Sequence, residues 1–531
     1  MSVDAFNKLP RSPRAPSGRV PNVWHFDIRF VQLQPPSHTV FLFQPESSFI
    51  HMELVPVGQS KGQGFAFFPD TPKEAAGEVA KALIHAFMTS LGTGNEKPYA
   101  PWSFTTDDRG LAKEVGAELK RLGVKAPEVC DVKYVPKHTD AAHGRFCEMF
   151  KAMKSGMGLQ PLVAAAFVAP SGISFSSFKL AQWVQPKSDP SEAALAYSQQ
   201  LSSARPLSGE RDMNELMQEV QVTMEVLKRR PSAVVRSEAD AGNPQAALEY
   251  ALRLQYGIQC TASRPQFREY LMQVILSPKA DDTMKSIAHS LMIDWYIKGV
   301  FENGAAPARY LHAAAHGADE AIRLAKGAAS PAVLFFAFYV LGKHATKIVE
   351  LNAQYKHVWQ AKARRDQEIA KADSKATLKR MKEPNRYMCA HVGCAVSANS
   401  GHMLQKCAGK CDEDKKPSYC GKECQRADWK NHKPFCTPGA ACSVLERPDI
   451  EVHGHSAARA GAIEVPIRNA DGTTTLLSSS TMSPKMLKEM KAFAEAGAAG
   501  RNGPGFSNGI QVGIGKMRVD DDDDDSDDEV D

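Results

Sequence analysis

Cysteine is scarce over most of this 531-residue chain. Only Cys130, Cys147 and Cys260 lie outside one short segment, and the other eight of the eleven cysteines fall between Cys389 and Cys442. A disulfide framework would spread its cysteines along the chain, and oxidation would destroy a cluster of thiolates. We therefore expect a reducing compartment, the cytoplasm or the nucleus.

Long apolar runs are also missing. The longest, residues 332–341, has about half the length that a membrane-spanning helix needs, and it predicts a buried helix. The residues between Asp4 and Arg14 include charges and lack an apolar stretch, which does not fit a signal peptide. Residues 22–180 contain no nucleotide-binding loop, no carboxylate pair in a meaningful setting and no nucleophile motif. We expect no membrane partner and no enzyme activity.

The segment from Cys389 to Cys436 is rich in residues that bind zinc. Its candidate ligands are Cys389, Cys394, Cys407, Cys411, Cys420, Cys424, His432 and Cys436. Zinc prefers four soft or borderline ligands at tetrahedral corners, and two cysteines a few residues apart on a turn supply two corners. Eight ligands complete two sites and leave no position for water. The spacing thus predicts two structural zinc ions rather than a catalytic one.

The order of the ligands distinguishes among zinc-finger families. A RING finger has its histidine near the middle of the eight ligands and a PHD finger has it fifth, whereas here it is seventh. The pattern Y-C-x3-C-Q-x2-D-W-x2-H-K-x2-C over residues 419–436 resembles the MYND finger. That resemblance implies that the first zinc is bound by Cys389, Cys394, Cys420 and Cys424. It implies that the second is bound by Cys407, Cys411, His432 and Cys436.

The first half of the finger departs slightly from the family pattern. Its cysteine pairs are separated by four residues and by three, where two are commoner. His391 and His402 are therefore alternative ligands, and Cys442 lies beyond the pattern and is expected to bind no metal.

Acidic residues are concentrated in one segment. Residues 520–531 hold ten acidic residues and no basic one, and the remaining 65 basic and 50 acidic residues give the rest of the chain a net charge of +15. A basic body can attract nucleic acid. The finger argues against this, because its eight Lys and Arg, five acids, seven thiolates and two Zn²⁺ sum to zero.

Composition and periodicity divide the chain into several regions, so we predict a multidomain protein. In order, these are a disordered segment at 1–21, an α+β domain at 22–180, a helical repeat-like region at 190–342, a basic helix at 343–386, the MYND finger at 389–436, a small hairpin and helix region at 450–499 that turns at Asp471-Gly472, and a disordered tail at 500–531 that is acidic over 520–531. Ten acids in the tail cannot pack or pair with one another.

Short aromatic or β-branched runs predict strands in the α+β domain, the last of them FAFF at 65–68. A helix follows, with Thr71 as its N-cap and Glu74 completing a capping box. The apolar stretch 161–170 predicts a buried strand. The segment PWSFTTDD at 101–108 resembles stretches of uncharacterised fungal MYND proteins.

Three helical segments in the middle of the chain look related to one another. The segments begin at Gly242, Ala280 and Ala308. Helix starts are expected near residues 242, 281 and 318, a spacing of roughly 36–39 residues that fits helix-pair repeats. The segment around Tyr310 and Gly317 resembles a Sel-like or tetratricopeptide repeat. An irregular helical bundle is the alternative.

The MYND resemblance implies an interaction protein. MYND fingers of the peptide-binding kind bind proline-rich segments, and the matching positions are Gln425 and Trp429. An indole can stack on the rings of a preformed extended peptide, and the strand around Ser418-Tyr419 would offer backbone pairing. One alternative is an enzyme, either with an unrecognised site or of the SET-and-MYND methyltransferase kind, whose N-H-x-C and GEE segments are missing. The other is a chromatin or nucleic-acid-associated factor.

Overall fold

A computed structural model gives the positions of most of the chain. It describes residues 2–33, 36–47, 49–58, 65–92, 97–158, 161–175, 189–206, 213–298, 308–345, 350–398, 403–444, 463–468, 474–479 and 482–499. The chain divides into a first unit of Met1–Pro206 and Gln218–Trp359 and a second unit of Leu207–Met217 and Gln360–Asp531. Among the helices in the described ranges, none is long and apolar enough to cross a membrane.

The first unit begins with a mixed α/β region. Its strands are β1 (Val23–Val31), β2 (Ser37–Phe43), β3 (Ile50–Val55), β4 (Ser103–Thr106) and β5 (Lys133–Tyr134). Its helices are α1 (Val3–Asn7), α2 (Pro72–Met88), α3 (Arg109–Arg121), α4 (Pro127–Cys130), α5 (Thr139–Gly156) and α6 (Pro161–Ala166). The strands form one sheet in the order β3-β2-β1-β4-β5, in which β1 pairs antiparallel with β2 and parallel with β4.

The sheet is the middle layer between helices. Trp24, Phe26 and Ile28 alternate along β1 and enter the apolar core that includes residues of α2 and α3, because successive side chains of a strand point to opposite faces. The other face packs on α5, where the rings of Phe41 and Phe146 lie 5.3 Å apart. The prediction that this region combines helices and strands is confirmed, and its sheet is of the mixed parallel and antiparallel kind.

Local signals place α2 where the sequence predicts it. The Thr71 hydroxyl accepts a hydrogen bond from the backbone N–H of Glu74. The Glu74 carboxylate reaches back to the backbone N–H of Asp70, one residue earlier than a capping box requires. Each of these two side chains therefore accepts a hydrogen bond from a backbone N–H group at the start of α2.

The prediction of disorder is wrong for residues 2–21. They include α1, whose Phe6 is fully buried in the core shared with α2. The backbone N–H of Ala100 donates to the carbonyl of Pro10, and the side-chain amide of Asn22 donates to the carbonyl of Ser12. One aromatic anchor and these hydrogen bonds hold a segment whose composition alone suggested no structure.

Two predicted strands of the first unit are also wrong. The described residues 65–68 form no strand, and Phe68 instead packs against Tyr296 and Tyr310, with ring centroids 4.9 Å away in both cases. The stretch 161–170 begins with the short helix α6, and Leu162 on it is 89% exposed. Both segments are apolar, but aromatic packing and local helix formation replaced the expected strand pairing.

The middle of the chain is helical. Its helices are α7 (Pro190–Ala204), α8 (Met213–Arg229), α9 (Ser232–Asp240), α10 (Pro244–Tyr256), α11 (Arg264–Leu276), α12 (Asp282–Lys298), α13 (Ala308–Leu324), α14 (Pro331–Phe335), α15 (Gly342–His344) and α16 (Glu350–Ala353), with a π-helical turn at Phe336–Leu341. From α10 to α13, each helix packs against the next. The third helix start expected near residue 318 is wrong, because α13 begins at Ala308. The order of the helices is compatible with helix pairs, and the repeat resemblance stays a prediction.

A buried ion-pair network joins the sheet region to the helical middle within the first unit. The Asp70 carboxylate accepts hydrogen bonds from Arg264 and Tyr310, and a guanidinium nitrogen of Arg309 lies 3.6 Å from it. Arg264 also stacks over Trp295, 3.7 Å from the ring centroid. One carboxylate thus offsets two buried guanidinium groups.

The second unit contains most of the basic helix, the finger and the residues that follow it. Its elements are α17 (Lys356–Lys382), which begins in the first unit, α18 (Pro384–Tyr387), β6 (Ser397–Ala398), β7 (Gln405–Lys406), β8 (Ser418–Tyr419), α19 (Lys422–His432), β9 (Ile463–Arg468), β10 (Thr474–Ser479) and α20 (Pro484–Ala499). β9 pairs antiparallel with β10 and also with β6, so a strand of the finger extends the hairpin into a three-stranded sheet. The expected turn at Asp471-Gly472 and the tail at 500–531 lie outside the described residues.

Candidate metal centre

Short elements bring the candidate ligands together. β7 and β8 form an antiparallel pair, and Ser418 of β8 bridges to Cys389 on its other side. α19 follows, and its buried residues Cys424, Asp428 and His432 are spaced four apart. Residues at this spacing share one helix face. The helix therefore presents a candidate ligand from each of its ends on the same buried side.

The first cluster consists of Cys389, Cys394, Cys420 and Cys424, whose sulfur atoms all lie within 4.8 Å of one another. The Cys394 and Cys420 sulfurs are 3.7 Å apart, and those of Cys420 and Cys424 are 3.4 Å apart. Four sulfurs at about 2.3 Å from a central zinc would lie about 3.8 Å from one another. The cluster thus has the dimensions of a tetrahedral site.

The second cluster consists of Cys407, Cys411, His432 and Cys436. The Cys407 and Cys436 sulfurs are 3.8 Å apart. His432 directs Nε2 at the cluster, 3.3 Å from the Cys407 sulfur and 3.8 Å from that of Cys411. Three sulfurs and one imidazole nitrogen form a closed donor set of the structural kind.

Gly409 shows how closely the chain wraps the second cluster. Its backbone N–H donates to the Cys407 sulfur over 3.3 Å. A Cβ atom at this position would lie 2.1 Å from the Cys436 sulfur, far inside van der Waals contact. The turn between Cys407 and Cys411 therefore needs a residue without a side chain, as expected where backbone closes around a metal.

Groups behind the ligands fix their orientation. Because Nε2 of His432 faces the sulfurs, its Nδ1–H donates to the Ser443 hydroxyl over 2.9 Å. Burial lowers the pKa of His432, an effect that Asp428 partly opposes, and this favours the neutral imidazole that metals bind. The Tyr419 hydroxyl donates to Asp428 over 2.9 Å. Burial and this carboxylate raise the pKa of Tyr419, so it remains a donor at neutral pH.

The first cluster also has a cationic neighbour that the sequence analysis missed. Nζ of Lys488 in α20 lies 3.0 Å from the Cys420 sulfur and 3.3 Å from the Cys424 sulfur. Burial lowers the pKa of Lys488. Its hydrogen bonds to the two cysteines and the nearby sulfur charges outweigh that effect and raise the pKa overall. No motif signals this contact, because Lys488 comes 64 residues after Cys424 in an ordinary amphipathic helix.

The structure brings all eight predicted ligands into the two groups that the MYND resemblance implies. Both donor sets fit zinc, and the Gly409 turn fits the close approach that a metal-bound sulfur requires. His391 belongs to neither group, and the Cys442 thiol instead donates to the Lys415 carbonyl over 3.5 Å. His402 lies outside the described residues. The predicted cofactor, two zinc ions, is confirmed.

The two candidate peptide-binding residues lie beside each other on α19. Trp429 is 43% exposed, with its ring 6.1 Å from that of His432, and Gln425, one turn earlier, is half-buried. The prediction that Ser418-Tyr419 offers its backbone to a peptide is wrong. β8 already pairs with β7 on one side, and its Ser418 carbonyl accepts from Ala390 on the other.

Comparison with known proteins agrees with this geometry. The family model of the MYND finger matches residues 389–436. The search of curated proteins and the search of solved structures each found no match. The chain therefore carries a two-zinc MYND finger, a domain type that mediates protein interactions.

Proposed function

We propose that the protein is a non-catalytic interaction protein whose finger binds proline-containing segments of other proteins. The exposure of Trp429 carries this proposal. Its indole is 43% exposed, whereas Tyr419 of the same motif is 1% exposed. Exposed tryptophan on an ordered element is typical of residues that contribute most to binding at interfaces.

The finger holds this indole rigidly. α19 contributes Cys424 to the first cluster and His432 to the second, so zinc fixes the helix at both ends. Asp428 between them accepts a hydrogen bond from buried Tyr419. A partner that docks on Trp429 therefore pays little entropy for ordering the helix.

β7 offers the backbone pairing that β8 lacks. Gln405 and Lys406 are exposed, and in the described part of the finger β7 pairs with β8 alone. An extended segment rich in proline has its backbone groups unpaired and its shape preformed. Such a segment can add to the edge of β7 while its proline rings contact an aromatic side chain.

A row of basic residues runs along α19 beside Trp429. Lys422, Arg426 and Lys430 are spaced four residues apart and are exposed. Complementary charge increases the association rate and the selectivity of an interface. The proposed ligand is therefore a proline-containing segment with acidic residues next to the prolines.

Fluorescence polarisation with the full-length protein tests the proposal. A labelled P-x-L-x-P peptide with acidic flanks should bind with a dissociation constant on the order of 10–1,000 μM, as expected for a small transient interface. Trp429→Ala should weaken binding at least ~10-fold while both zinc ions stay bound, because truncating an aromatic hot-spot residue typically costs about 2 kcal/mol or more.

Tyr339→Ala is the matched control, since it removes a 56% exposed aromatic residue from the first unit. It should leave the dissociation constant unchanged. Equal affinity of Trp429→Ala and wild-type protein would show that the finger does not bind the peptide through this surface. Equal affinity for acidic and lysine-flanked peptides would remove the role of the basic row.

A further inference from the structure

We propose that Lys488 is a positioning residue of the first zinc cluster: it compensates the charge of the four thiolates and thereby sets how firmly that cluster holds its metal. Lys488 lies outside the finger motif at 389–436. The inference does not depend on what the finger binds.

The geometry is that of a bifurcated contact from one ammonium group. Nζ of Lys488 lies 3.0 Å from the Cys420 sulfur and 3.3 Å from the Cys424 sulfur. An ammonium group has three N–H donors, so it can serve both sulfurs at once. The two cysteines are consecutive ligands of the same cluster.

Charge explains why a cation lies at this cluster. A zinc ion with four thiolates carries a net charge of −2, whereas a zinc ion with three thiolates and a neutral imidazole carries −1. Cys389, Cys394 and Cys424 of the first cluster are buried, so water screens the extra charge poorly. Lys488 contacts the more negative of the two clusters, and the second has the neutral Ser443 hydroxyl behind its imidazole.

The fold positions Lys488 through its neighbours. The preceding residue, Leu487, is fully buried in the apolar cluster that contains the ligating cysteines, together with Ile463 and Val465 of β9. β9 in turn pairs with β6 inside the finger. Arg380 forms an ion pair with the buried carboxylate of Glu464 on β9. The ammonium group is therefore delivered by a packed segment and not by a free surface chain.

Hydrogen bonds from a cation withdraw electron density from thiolate sulfur. The cation also offsets part of the negative charge that the cluster keeps when zinc is bound. The zinc-loaded cluster is therefore favoured over the protonated, metal-free one. Loss of an outer partner of this kind typically weakens metal binding about 10–100-fold. We therefore expect Lys488 to affect one of the two zinc ions selectively.

Zinc release from the full-length protein to a coloured chelator tests this. In Lys488→Met, which keeps the aliphatic stem, one of the two zinc ions should leave about 10–100-fold faster than in wild type, and the other at an unchanged rate. Lys488→Arg keeps the charge and should restore most of the retention. Lys485→Met changes an exposed lysine on the same helix and should behave as wild type. Ser443→Ala should instead accelerate release of the other zinc ion.

Cobalt substitution separates charge compensation from simple packing. The thiolate-to-cobalt charge-transfer band should move to lower energy in Lys488→Met, because the sulfur lone pairs lose their stabilising cation, and Lys488→Arg should move it back. Release of both zinc ions at equally increased rates in Lys488→Met would show a loss of folding instead and overturn the proposal. So would release and spectra identical to those of Lys485→Met.

Discussion

At the scale of a single residue, Cys420 contacts two other ligands of the finger and one lysine outside it. Its sulfur lies 3.7 Å from that of Cys394, 3.4 Å from that of Cys424 and 3.0 Å from Nζ of Lys488. A serine hydroxyl is a poor zinc ligand at neutral pH, so Cys420→Ser should lose the first zinc ion. Zinc binding supplies roughly 10–16 kcal/mol per site that is also folding free energy, so the finger should unfold around the empty site.

Metal analysis of purified protein measures this directly. Wild type should contain two zinc ions per chain, and Cys442→Ser, which removes a thiol outside both clusters, should also contain two. A wild-type content of one zinc ion or none would contradict the two-site assignment.

Asp70 has a comparable role in the first unit. It faces two buried guanidinium groups, those of Arg264 and Arg309, and accepts a hydrogen bond from Tyr310. Asp70→Asn leaves both cations without a counter-charge, and breaking a buried pair in this way costs roughly 3–5 kcal/mol. Urea unfolding of the first unit should show a loss of that size.

Glu225→Gln provides the comparison, because Glu225 pairs with Lys228 and Arg229 while 56% exposed. Exposed pairs contribute about 0–1 kcal/mol. Similar losses in Asp70→Asn and Glu225→Gln would mean that burial does not determine the contribution of the Asp70 network.

Elements were predictable where neighbouring residues determine them. The start of α2 follows from Thr71 and Glu74, which bond to backbone groups within four residues. The eight ligands could be predicted because zinc requires particular residue types at short spacings. α1 and residues 65–68 could not be predicted, since Phe6 and Phe68 are ordered by partners far away in sequence.

The same reasoning explains the two errors at the finger. The pairing of β8 on both sides depends on β7 and on the backbone at Ala390, and neither contact has a sequence signature. The sequence does not distinguish Lys488 from other lysines, and only the fold places it beside the sulfurs. Ligand identity is thus encoded locally, whereas the surroundings of the ligands arise from tertiary structure.

Removal of zinc should affect elements well beyond the finger motif. β9 is paired to β6, and Leu487 of α20 packs among the ligating cysteines. An isolated two-stranded hairpin is marginally stable at best. Hydrogen exchange after chelation should therefore show loss of protection in β9 and α20 together with the finger. β1 and β2 in the first unit should keep theirs, and persistent protection of β9 would show that it folds without the metal sites.

At the scale of the whole molecule, the two units depend on different interactions. The first unit has an apolar core and buried ion pairs, and the second closes around two clusters of metal ligands. Acid acts on the second by protonating its thiolates. In the first unit, acid acts on buried imidazoles. His25 on β1 is fully buried, and its Nδ1 lies 3.1 Å from the hydroxyl of Thr105 on β4.

Burial, aided by the nearby His138 and Arg29, lowers the pKa of His25 to about 3. Its value in the unfolded chain is about 6.5, so the unfolded state binds the proton first as the pH falls. The contribution of neutral His25 to the free energy of unfolding is complete above pH ~6.5. It declines below that pH, by about 2 kcal/mol at pH ~5. In His25→Gln, the stability lost by the first unit between those pH values should be smaller by that amount. Equal losses in both proteins would mean that His25 is already protonated in the folded state.

Lys488 joins the protein later than the thiolates that it contacts. It lies 64 residues after Cys424, a stretch that a ribosome needs roughly 3–13 s to add at about 5–20 residues per second. During that interval the first cluster can take up zinc, but without its cation. We expect metal in the nascent chain to exchange with its surroundings until α20 has been made and to be retained afterwards. Synthesis of α20 would then determine when the first cluster begins to retain its zinc ion. Stalled chains that end before α20 should exchange isotopic zinc faster than finished ones.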